Sequence, residues 1–422
     1  MINTKVKAGA LQLTLFIVVV IALLLASFLI FVHTYTQFKV QSNFVVETTQ
    51  NANKGIQHAL HNSIPLNDST MIQLIDDDYK SLKITRAYWG LYEKISSVAS
   101  IKNYKFEKVA LIGASQSKLN RMALFLEDNN KPLVVVGSTR IEGLAYLPER
   151  GIRTGNISGH SYYGDRLIYG STRKSSQLPK VLSELEEHLV HVFTDEQTNF
   201  LDISKAQEFK NSFFEPLQLV YSPDEIRLEA IAMTGYIMVQ SETKIVVEAS
   251  SNLKDVILIA PTVEIKDHVI GTFQVIATAS INVGENCKLY YPSALVVYNE
   301  NIIIPSEQQT SEDVVNAITI NEGSIINGVV FWNTPPKTGN YDPQVLINEK
   351  VIINGEVFCN SNLELKGTVH GTIYTSSFVA RQSGSIYQNH IYNGTIIVGM
   401  LPQEYVGLPF ETSKKGVVKW LY

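Results

Sequence analysis

Two stretches of this chain carry the same pattern of residues. They are Ile318-Thr-Ile-Asn-Glu-Gly-Ser-Ile-Ile-Asn-Gly-Val-Val-Phe331 and Val345-Leu-Ile-Asn-Glu-Lys-Val-Ile-Ile-Asn-Gly-Glu-Val-Phe358. Looser copies run from Leu363 to Tyr374 and from Val263 to Phe273. The repeated positions are Ile320, Ile325, Gly328 and Phe331 in the first copy, Ile347, Ile352, Gly355 and Phe358 in the second, and Gly371 and Gly271 in the looser copies.

Each copy is too short to bury its own apolar residues, so neighbouring copies have to share one core. As windings of a parallel β-solenoid, they would point alternate Ile and Val inward and leave Asn, Lys, Glu and Thr in water. A glycine at one shared place suits a repeated corner that needs positive φ. The alternative is an antiparallel sandwich or barrel, for which Asn327-Gly328 and Asn354-Gly355 are hairpin signals. The looser copies keep the glycine without the asparagine, which favours the solenoid.

The N-terminal segment has the length and composition of a membrane span. No residue between Lys7 and His33 is charged. The run of about 25 residues makes a helix of roughly 38 Å, and a bilayer core is about 30 Å thick. Because this run is longer than the apolar part of a signal peptide, it predicts an uncleaved single span that contacts the lipid bilayer through residues 8–32. Lys5 and Lys7 precede the span, which favours a cytoplasmic N-terminus and an extracytoplasmic bulk.

The chain divides into five predicted regions. They are an N-terminal segment with a transmembrane helix (1–35), a helical stem (36–65), a β-rich mixed α/β domain (66–225) with one amphipathic helix (179–193), a β-solenoid (226–400) and a C-terminal cap or tail (401–422). Within the mixed domain, Leu82 to Tyr92 is expected to form one strand, because it is rich in β-branched and aromatic residues. The predicted fold class is therefore mainly β, with the helices confined to the first half of the chain.

Composition narrows the function. The 422 residues are 45% hydrophobic and 18% charged, which excludes wholesale disorder. The net charge of −5 argues against a nucleic-acid partner, which would require a concentrated basic surface. Two cysteines, Cys287 and Cys359, form neither a disulfide framework nor a metal motif.

Signals of chemistry are few, and no catalytic, cofactor-binding or metal-binding residue is predicted. The best metal candidate is a set of four residues on one face of the amphipathic helix, opposite its apolar stripe. These are Glu184, Glu187, His188 and His191. Their order is not that of a zinc protease, so a solvated helix face is the expectation. Asp267, His268 and His370 are polar residues of the predicted solenoid, and they form no evident pair of carboxylates for glycoside hydrolysis.

Two resemblances bear on function. The stretch Gly367-Thr-Val-His-Gly-Thr-Ile373 resembles the short glycine-punctuated coils of bactofilins, polymer-forming cytoskeletal proteins, which implies a right-handed β-helix that assembles end to end without nucleotide. The N-terminus resembles that of type IV pilin-like proteins, including minor pseudopilins. There a short basic leader precedes an apolar helix that continues as an amphipathic stretch, here Val40 to Asn62. That resemblance implies cleavage after Gly9 and packing of the helix into a filament.

The sequence therefore predicts a non-enzymatic protein of the bacterial envelope. One helix would anchor it in the membrane, and its exported part would carry a solenoid that binds partners or polymerises. Protein partners or self-association through the solenoid are expected, with a glycan as a further candidate ligand. The first alternative is a minor pilin-like subunit of a type IV pilus or type II secretion-like filament machine. The second is a carbohydrate-binding or carbohydrate-active β-helix protein. The C-terminal segment from Leu401 to Tyr422 is expected to cover the last coil, because terminal coils expose unpaired strand edges.

Overall fold

A single helix forms the N-terminal part of the molecule. The structure, a computed structural model, describes residues 9–73, 79–117, 121–192, 199–300, 317–336 and 339–422, so Ala8, Lys5 and Lys7 lie outside the described residues. Helix α1 (Gly9–His61) is 53 residues long and joins the predicted span to the predicted stem without interruption. The prediction of an N-terminal apolar helix is confirmed.

The end of α1 packs against a first, antiparallel sheet. This sheet begins with β1 (Ser69–Ile72), β2 (Lys80–Trp89), β3 (Tyr92–Ile101) and β4 (Tyr104–Ser115). The expectation of one strand from Leu82 to Tyr92 is wrong, because the chain turns back between Trp89 and Tyr92, which are partners across the hairpin. Gly90 takes φ of +63° there, a conformation that favours glycine.

The contact between helix and sheet is close and apolar. Ile56 and Ala59 pack in one buried cluster with side chains of β2, β3 and β4. Gly55 faces Ser97 of β3 so closely that a Cβ at Gly55 would lie 2.0 Å from the Ser97 hydroxyl. The last two turns of α1 are therefore fixed to the sheet.

Short strands follow the first sheet. They are β5 (Met122–Leu126), β6 (Leu133–Val136), β7 (Arg140–Glu142), β8 (Leu144–Leu147), β9 (Ile152–Thr154), β10 (Asn156–Ile157), β11 (His160–Ser161) and β12 (Thr172–Lys174). Helix α2 (Ser183–His191) comes next and is shorter than the predicted 179–193, because Leu182 is extended, with ψ of 121°. Residue 193 lies outside the described residues.

A set of parallel strands begins after α2. The first six are β13 (Glu208–Asn211), β14 (Gln218–Ser222), β15 (Ile226–Leu228), β16 (Ala232–Gly235), β17 (Ile237–Ser241) and β18 (Lys244–Val247). Each of the first three pairs in parallel with the strand three places later. Since β14 and β17 are partners, the predicted boundary between residues 225 and 226 falls inside a continuous sheet.

Longer strands continue this parallel pairing. They are β19 (Asn252–Ile265), β20 (Ile270–Val283), β21 (Lys288–Tyr298), β22 (Ile318–Ile320), β23 (Ile325–Asn333), β24 (Val345–Ile347), β25 (Ile352–Leu365) and β26 (Thr368–Gln382). The strands belong to one sheet that closes on itself, which we call the parallel sheet. It encloses the largest buried cluster, to which Ile320 and Ile347 contribute. The mainly β class is confirmed.

The middle region of the chain extends the parallel sheet beyond β26. After β27 (Ser385–Gln388), β28 (His390–Tyr392) and β29 (Thr395–Ile397), the next partners come from earlier in the chain. Strand β5 pairs in parallel with β26 and β7 with β29, and β8 and then β12 follow β5. Strands β28, β6 and β9 form a separate small sheet. Four strands of residues 122–174, namely β5, β7, β8 and β12, thus belong to the same sheet as the strands that follow α2.

The C-terminus returns to the first sheet. Strands β30 (Val406–Gly407) and β31 (Lys414–Leu421) both pair antiparallel with β4. The expectation that residues 401–422 cover the last coil is therefore wrong. Tyr405 instead lies along the side of the parallel sheet, where its hydroxyl donates a 2.9 Å hydrogen bond to the carbonyl of Gly328.

Candidate functional sites

The first candidate site is the exposed surface of α1. Every residue from 9 to 43 is exposed, including large apolar side chains such as Leu15 and Phe28, at 67% and 63%. Burial begins only at Thr48 and continues with Asn51, Ala52, Gly55, Ile56 and Ala59. An apolar surface of this extent marks a membrane or protein interface. It is the one helix among the described residues that is long and apolar enough to cross a membrane.

The second candidate site is the repeat itself, whose predicted residues are partners in register. Ile320 pairs with Ile347, Ile325 with Ile352, Gly328 with Gly355, Phe331 with Phe358 and Gly355 with Gly371, all on parallel strands. The side chains divide between two faces. Ile320 and Ile347 are enclosed, Ile325 and Ile352 are half-buried, and the Phe331 and Phe358 rings stack on the outer face with centroids 5.1 Å apart.

Gly271 does not occupy the same place as Gly371. It pairs with Leu289, which pairs with Ile326, whereas the partner of Gly328 is Ser293. Register shifts within β20 and β21 account for the difference, since they insert residues between the two columns. Gly355 and Gly371 have φ of 156°, and a Cβ at either would lie under 2 Å from a backbone carbonyl oxygen of the neighbouring strand.

Asparagine side chains, which the repeat pattern predicts to face water, form hydrogen-bonded columns along the parallel sheet. The amide of Asn354 donates to Asn327 at 2.8 Å, and its oxygen lies 2.9 Å from Nδ1 of His370. A second column joins Asn348 to Asn321 at 3.0 Å and Asn321 to Asn282 at 3.2 Å. In-register repeats bring identical amides together, and each amide both donates and accepts. The repeated Ile-Asn-Gly letters are the signal that could have predicted these columns.

A buried junction joins the first sheet to the parallel sheet. Gln274 of β20 accepts a hydrogen bond from the Leu91 N–H at 2.8 Å and donates one to the Trp89 carbonyl at 3.0 Å. These two bonds supply partners for backbone groups at the turn of the β2–β3 hairpin. The carboxylate of Glu356 accepts a 2.7 Å hydrogen bond from the Leu408 N–H. Burial raises the pKa of Glu356 to about 7. These contacts hold hairpin, C-terminal segment and parallel sheet together.

Two of the four helix residues considered for a metal ion make other contacts. Glu184 binds the buried guanidinium of Arg86 at 2.5 Å, and the ring of His188 stacks on Tyr88 with centroids 4.8 Å apart. Burial lowers the pKa of His188 to about 4, so the expectation that this residue lies on a solvated face is wrong. Among the described residues no group of three or more His, Cys, Asp or Glu is placed to hold a metal ion.

The two thiols and some of the aromatic residues lie in cores. Cys287 and Cys359 are buried and unpaired with each other, and burial raises the pKa of Cys359 to about 12. Trp332 and Tyr374 are 3% and 1% exposed, so they pack within the molecule. Tyr290 is 43% exposed and stays available for contact.

Comparisons with known proteins add little. No family model and no curated protein matches the chain. Among solved structures, the chain is similar to the competence-associated pilin ComZ from Thermus thermophilus, with 10% identity over 90% of this chain and 97% of that one. The TM-score is 0.21, which is too low for the likeness to support an argument about fold or function.

Proposed function

We propose that this chain is a membrane-anchored, pilin-like subunit of the bacterial envelope, whose exposed α1 surface lies in the bilayer and packs against other helices on assembly. The observation that carries the proposal is the division of α1 into two parts. Residues 9–43 are all exposed, while Ile56 and Ala59 are wholly buried against the first sheet. A helix held at one end and bare at the other suits insertion into a shared helical environment.

The physical argument is one of solvation. Apolar surface left in water costs about 25 cal/mol per Å², so a bare helix of this length requires lipid or other helices around it. Within this exposed part, the stretch from Gly9 to Val32 carries no charge and is roughly 36 Å long at about 1.5 Å per residue. That length covers the hydrocarbon core of a membrane, about 30 Å thick.

We also propose that the parallel sheet is a solenoid, and that its role is structural rather than catalytic. The in-register partners Gly328, Gly355 and Gly371, on three successive strands, support stacked windings. His370 lies next to the repeated Gly371. Its ring is hydrogen-bonded to Asn354 and so belongs to an asparagine column. A stack tied together in this way would be a rigid element carried by the anchored sheet.

End-to-end polymerisation through the solenoid is the weaker candidate. Strand β12 closes the described stack at one end, and its three residues, Thr172, Arg173 and Lys174, are all exposed. Charged side chains on an edge strand oppose pairing with a second copy. The resemblance to bactofilins stays a prediction.

Processing of the N-terminus tests the pilin-like role. Intact mass and N-terminal peptide analysis of the protein from its native membrane should find Ala10 as the first residue. A mature chain that begins at Met1 would remove the pilin-like role and leave a plain anchor.

Sidedness has its own test. Because Cys287 and Cys359 are buried, a Met71→Cys variant offers one exposed thiol, and a membrane-impermeant maleimide should label it in intact cells. The parent chain is the matched control and should stay unlabelled. Labelling of the variant only after lysis would contradict export.

A further inference from the structure

An open groove runs beside the outer face of β25 and β26. It has a volume of about 780 Å³ and lies between the segment leading into α2, Pro336 and Asn340, and the middle of β25 and β26. Ligand sites in proteins have volumes of about 300–1,000 Å³. Its principal lining side chains are Asn333, Gln344, Asn360, Glu127, Glu186 and Glu411.

The polar groups of the groove are held in place by one another. Asn360 donates to the side-chain oxygen of Asn333 at 2.7 Å, and Asn333 donates to Oε1 of Glu186 at 2.7 Å. This chain of three side chains crosses from the parallel sheet to α2. On the opposite wall, Glu127 accepts a hydrogen bond from Ser376. Side chains fixed before a ligand arrives lose less conformational entropy when it binds.

Several hydrogen-bonding groups remain available to a ligand. The side-chain oxygen of Gln344 accepts from the Asn362 N–H at 3.1 Å, while its NH₂ group has no partner among the described residues. Within the same described part of the chain, Oε2 of Glu186 and the carboxylate of Glu411 are also without hydrogen-bond partners. The groove therefore offers a ligand one free amide donor and free carboxylate acceptors on two side chains.

The charge of the groove selects the class of ligand. Three carboxylates face one cation, Lys180, so an anionic ligand would be repelled. Burial, opposed by the Asn333 hydrogen bond and reinforced by the nearby charges of Glu300 and Glu411, raises the pKa of Glu186. A peptide would require apolar pockets for its anchoring side chains, and the Phe358 ring at the base is only 3% exposed.

We infer that this groove binds a neutral oligosaccharide. Sugar hydroxyls both donate and accept, so they can pair with the free amide of Gln344 and with the free carboxylate oxygens of Glu186 and Glu411. Leu178 and Pro179 supply a small apolar wall against which the C–H face of a sugar ring can lie. The groove lies in the part of the chain that follows α1, so its binding of a sugar does not depend on how α1 is processed or assembled.

Titration of the purified full-length chain with short sugars tests the inference. The chain is kept in a detergent without a sugar headgroup, because a maltoside would compete for the groove. Cellotetraose, maltotetraose and chitotetraose are the neutral probes, tetragalacturonate is the anionic one, and binding is followed by calorimetry and saturation-transfer NMR. At least one neutral probe should bind, and tetragalacturonate should not.

Two variants place the binding in the groove. Glu186→Gln keeps the shape of the side chain and should weaken binding about tenfold, since it replaces an acceptor by a donor. Glu187→Gln, an exposed neighbour on α2, is the matched control and should bind within about twofold of the parent chain. Ser377→Trp, which fills the groove from β26, should abolish binding while the melting temperature reports that the chain is folded.

Three results would overturn the inference. They are no binding of any neutral probe, preferential binding of tetragalacturonate, and equal binding by the parent chain and folded Ser377→Trp. None of these results bears on where the mature N-terminus begins, so failure here is separate from failure of the pilin-like role.

Discussion

The carboxylate of Glu356 lies 2.7 Å from the backbone nitrogen of Leu408. A side chain of the parallel sheet therefore accepts a hydrogen bond from the C-terminal segment at the point where that segment returns to the first sheet. Gly407 makes room for this contact, because a Cβ there would lie 2.1 Å from the same carboxylate oxygen. The ionisable group at this junction is fully buried, and its pKa of about 7 makes the joint sensitive to pH.

The contribution of Glu356 to the free energy of unfolding should fall as the pH rises. The folded chain holds a proton up to about pH 7, whereas the unfolded chain releases it near 4.5. Between those values the folded state binds more protons, so the free energy of unfolding falls by about 3 kcal/mol across the window. The melting temperature should drop between pH 5 and pH 8 in the parent chain, and Glu356→Gln should lose most of that drop. Glu349→Gln, which changes an exposed carboxylate in the turn before β25, should behave as the parent chain. An unchanged pH profile in Glu356→Gln would contradict the assignment.

Gly355→Ala should prevent correct folding of the stack. Its Cβ would lie 1.8 Å from the carbonyl oxygen of Gly328, which is backbone and cannot move aside. The φ of 156° adds strain for any residue with a side chain. We expect loss of soluble, cooperatively melting protein, measured by circular dichroism. Gly399→Ala, where nothing lies within 4 Å of the added Cβ, should stay within about 0.5 kcal/mol of the parent chain. Equal stability of the two variants would show that the glycine column is not close-packed.

Asn354→Ala should destabilise the chain by about 1–3 kcal/mol. The substitution leaves the Asn327 oxygen and the His370 ring nitrogen without their partner between adjacent strands. Chemical denaturation should report a lower midpoint with an unchanged slope. Asn252→Ala removes an exposed asparagine at the start of β19 and is the matched control. If both variants unfold at the same denaturant concentration, the column makes no net contribution.

Gly55→Leu should release the end of α1 from the first sheet. A side chain there would meet Ser97 and Leu82, both within about 3 Å of the added Cβ. The amides of Ile56 and Ala59 should then exchange with solvent faster by about tenfold or more, as hydrogen exchange with mass spectrometry would measure. Gln57→Leu introduces the same side chain on the exposed face and should leave the exchange unchanged. Slow exchange in both variants would contradict the docking of α1 at Gly55.

The sequence predicts contacts well where the chain repeats itself. Ile320 and Ile347 occupy the same place in a pattern that matches letter for letter, and they are partners in the structure. Asn327 and Asn354 are 27 residues apart, whereas Asn354 and His370 are 16 apart. All three nevertheless share a column, because residues in excess leave the stack as a loop. Periodicity therefore carries register across insertions.

Contacts between segments that share no repeated pattern could not be predicted from the sequence. Leu124 and Ile373 are partners on parallel strands, although no shared pattern links their segments. The short strands of residues 122–174 have ordinary β-rich composition, so the sequence assigned them to a separate domain. The burial of His188 was also missed, since helical spacing alone places it opposite the apolar stripe, and only the approach of Tyr88 covers it. The polar groove depends on three distant segments and has no local signal.

The parallel stack is inserted between two neighbouring strands of the anchored sheet. Strand β4 leads out of that sheet, and β31 returns beside it, with Gly416 opposite Gly113. The parallel sheet contacts the first sheet through Gln274 of β20 and the C-terminal segment through Glu356 of β25. A repeat added between those two strands would move the two contacts apart by about 4.8 Å, the distance between adjacent strands. The spacing of these two contacts therefore sets how many strands can lie between β20 and β25.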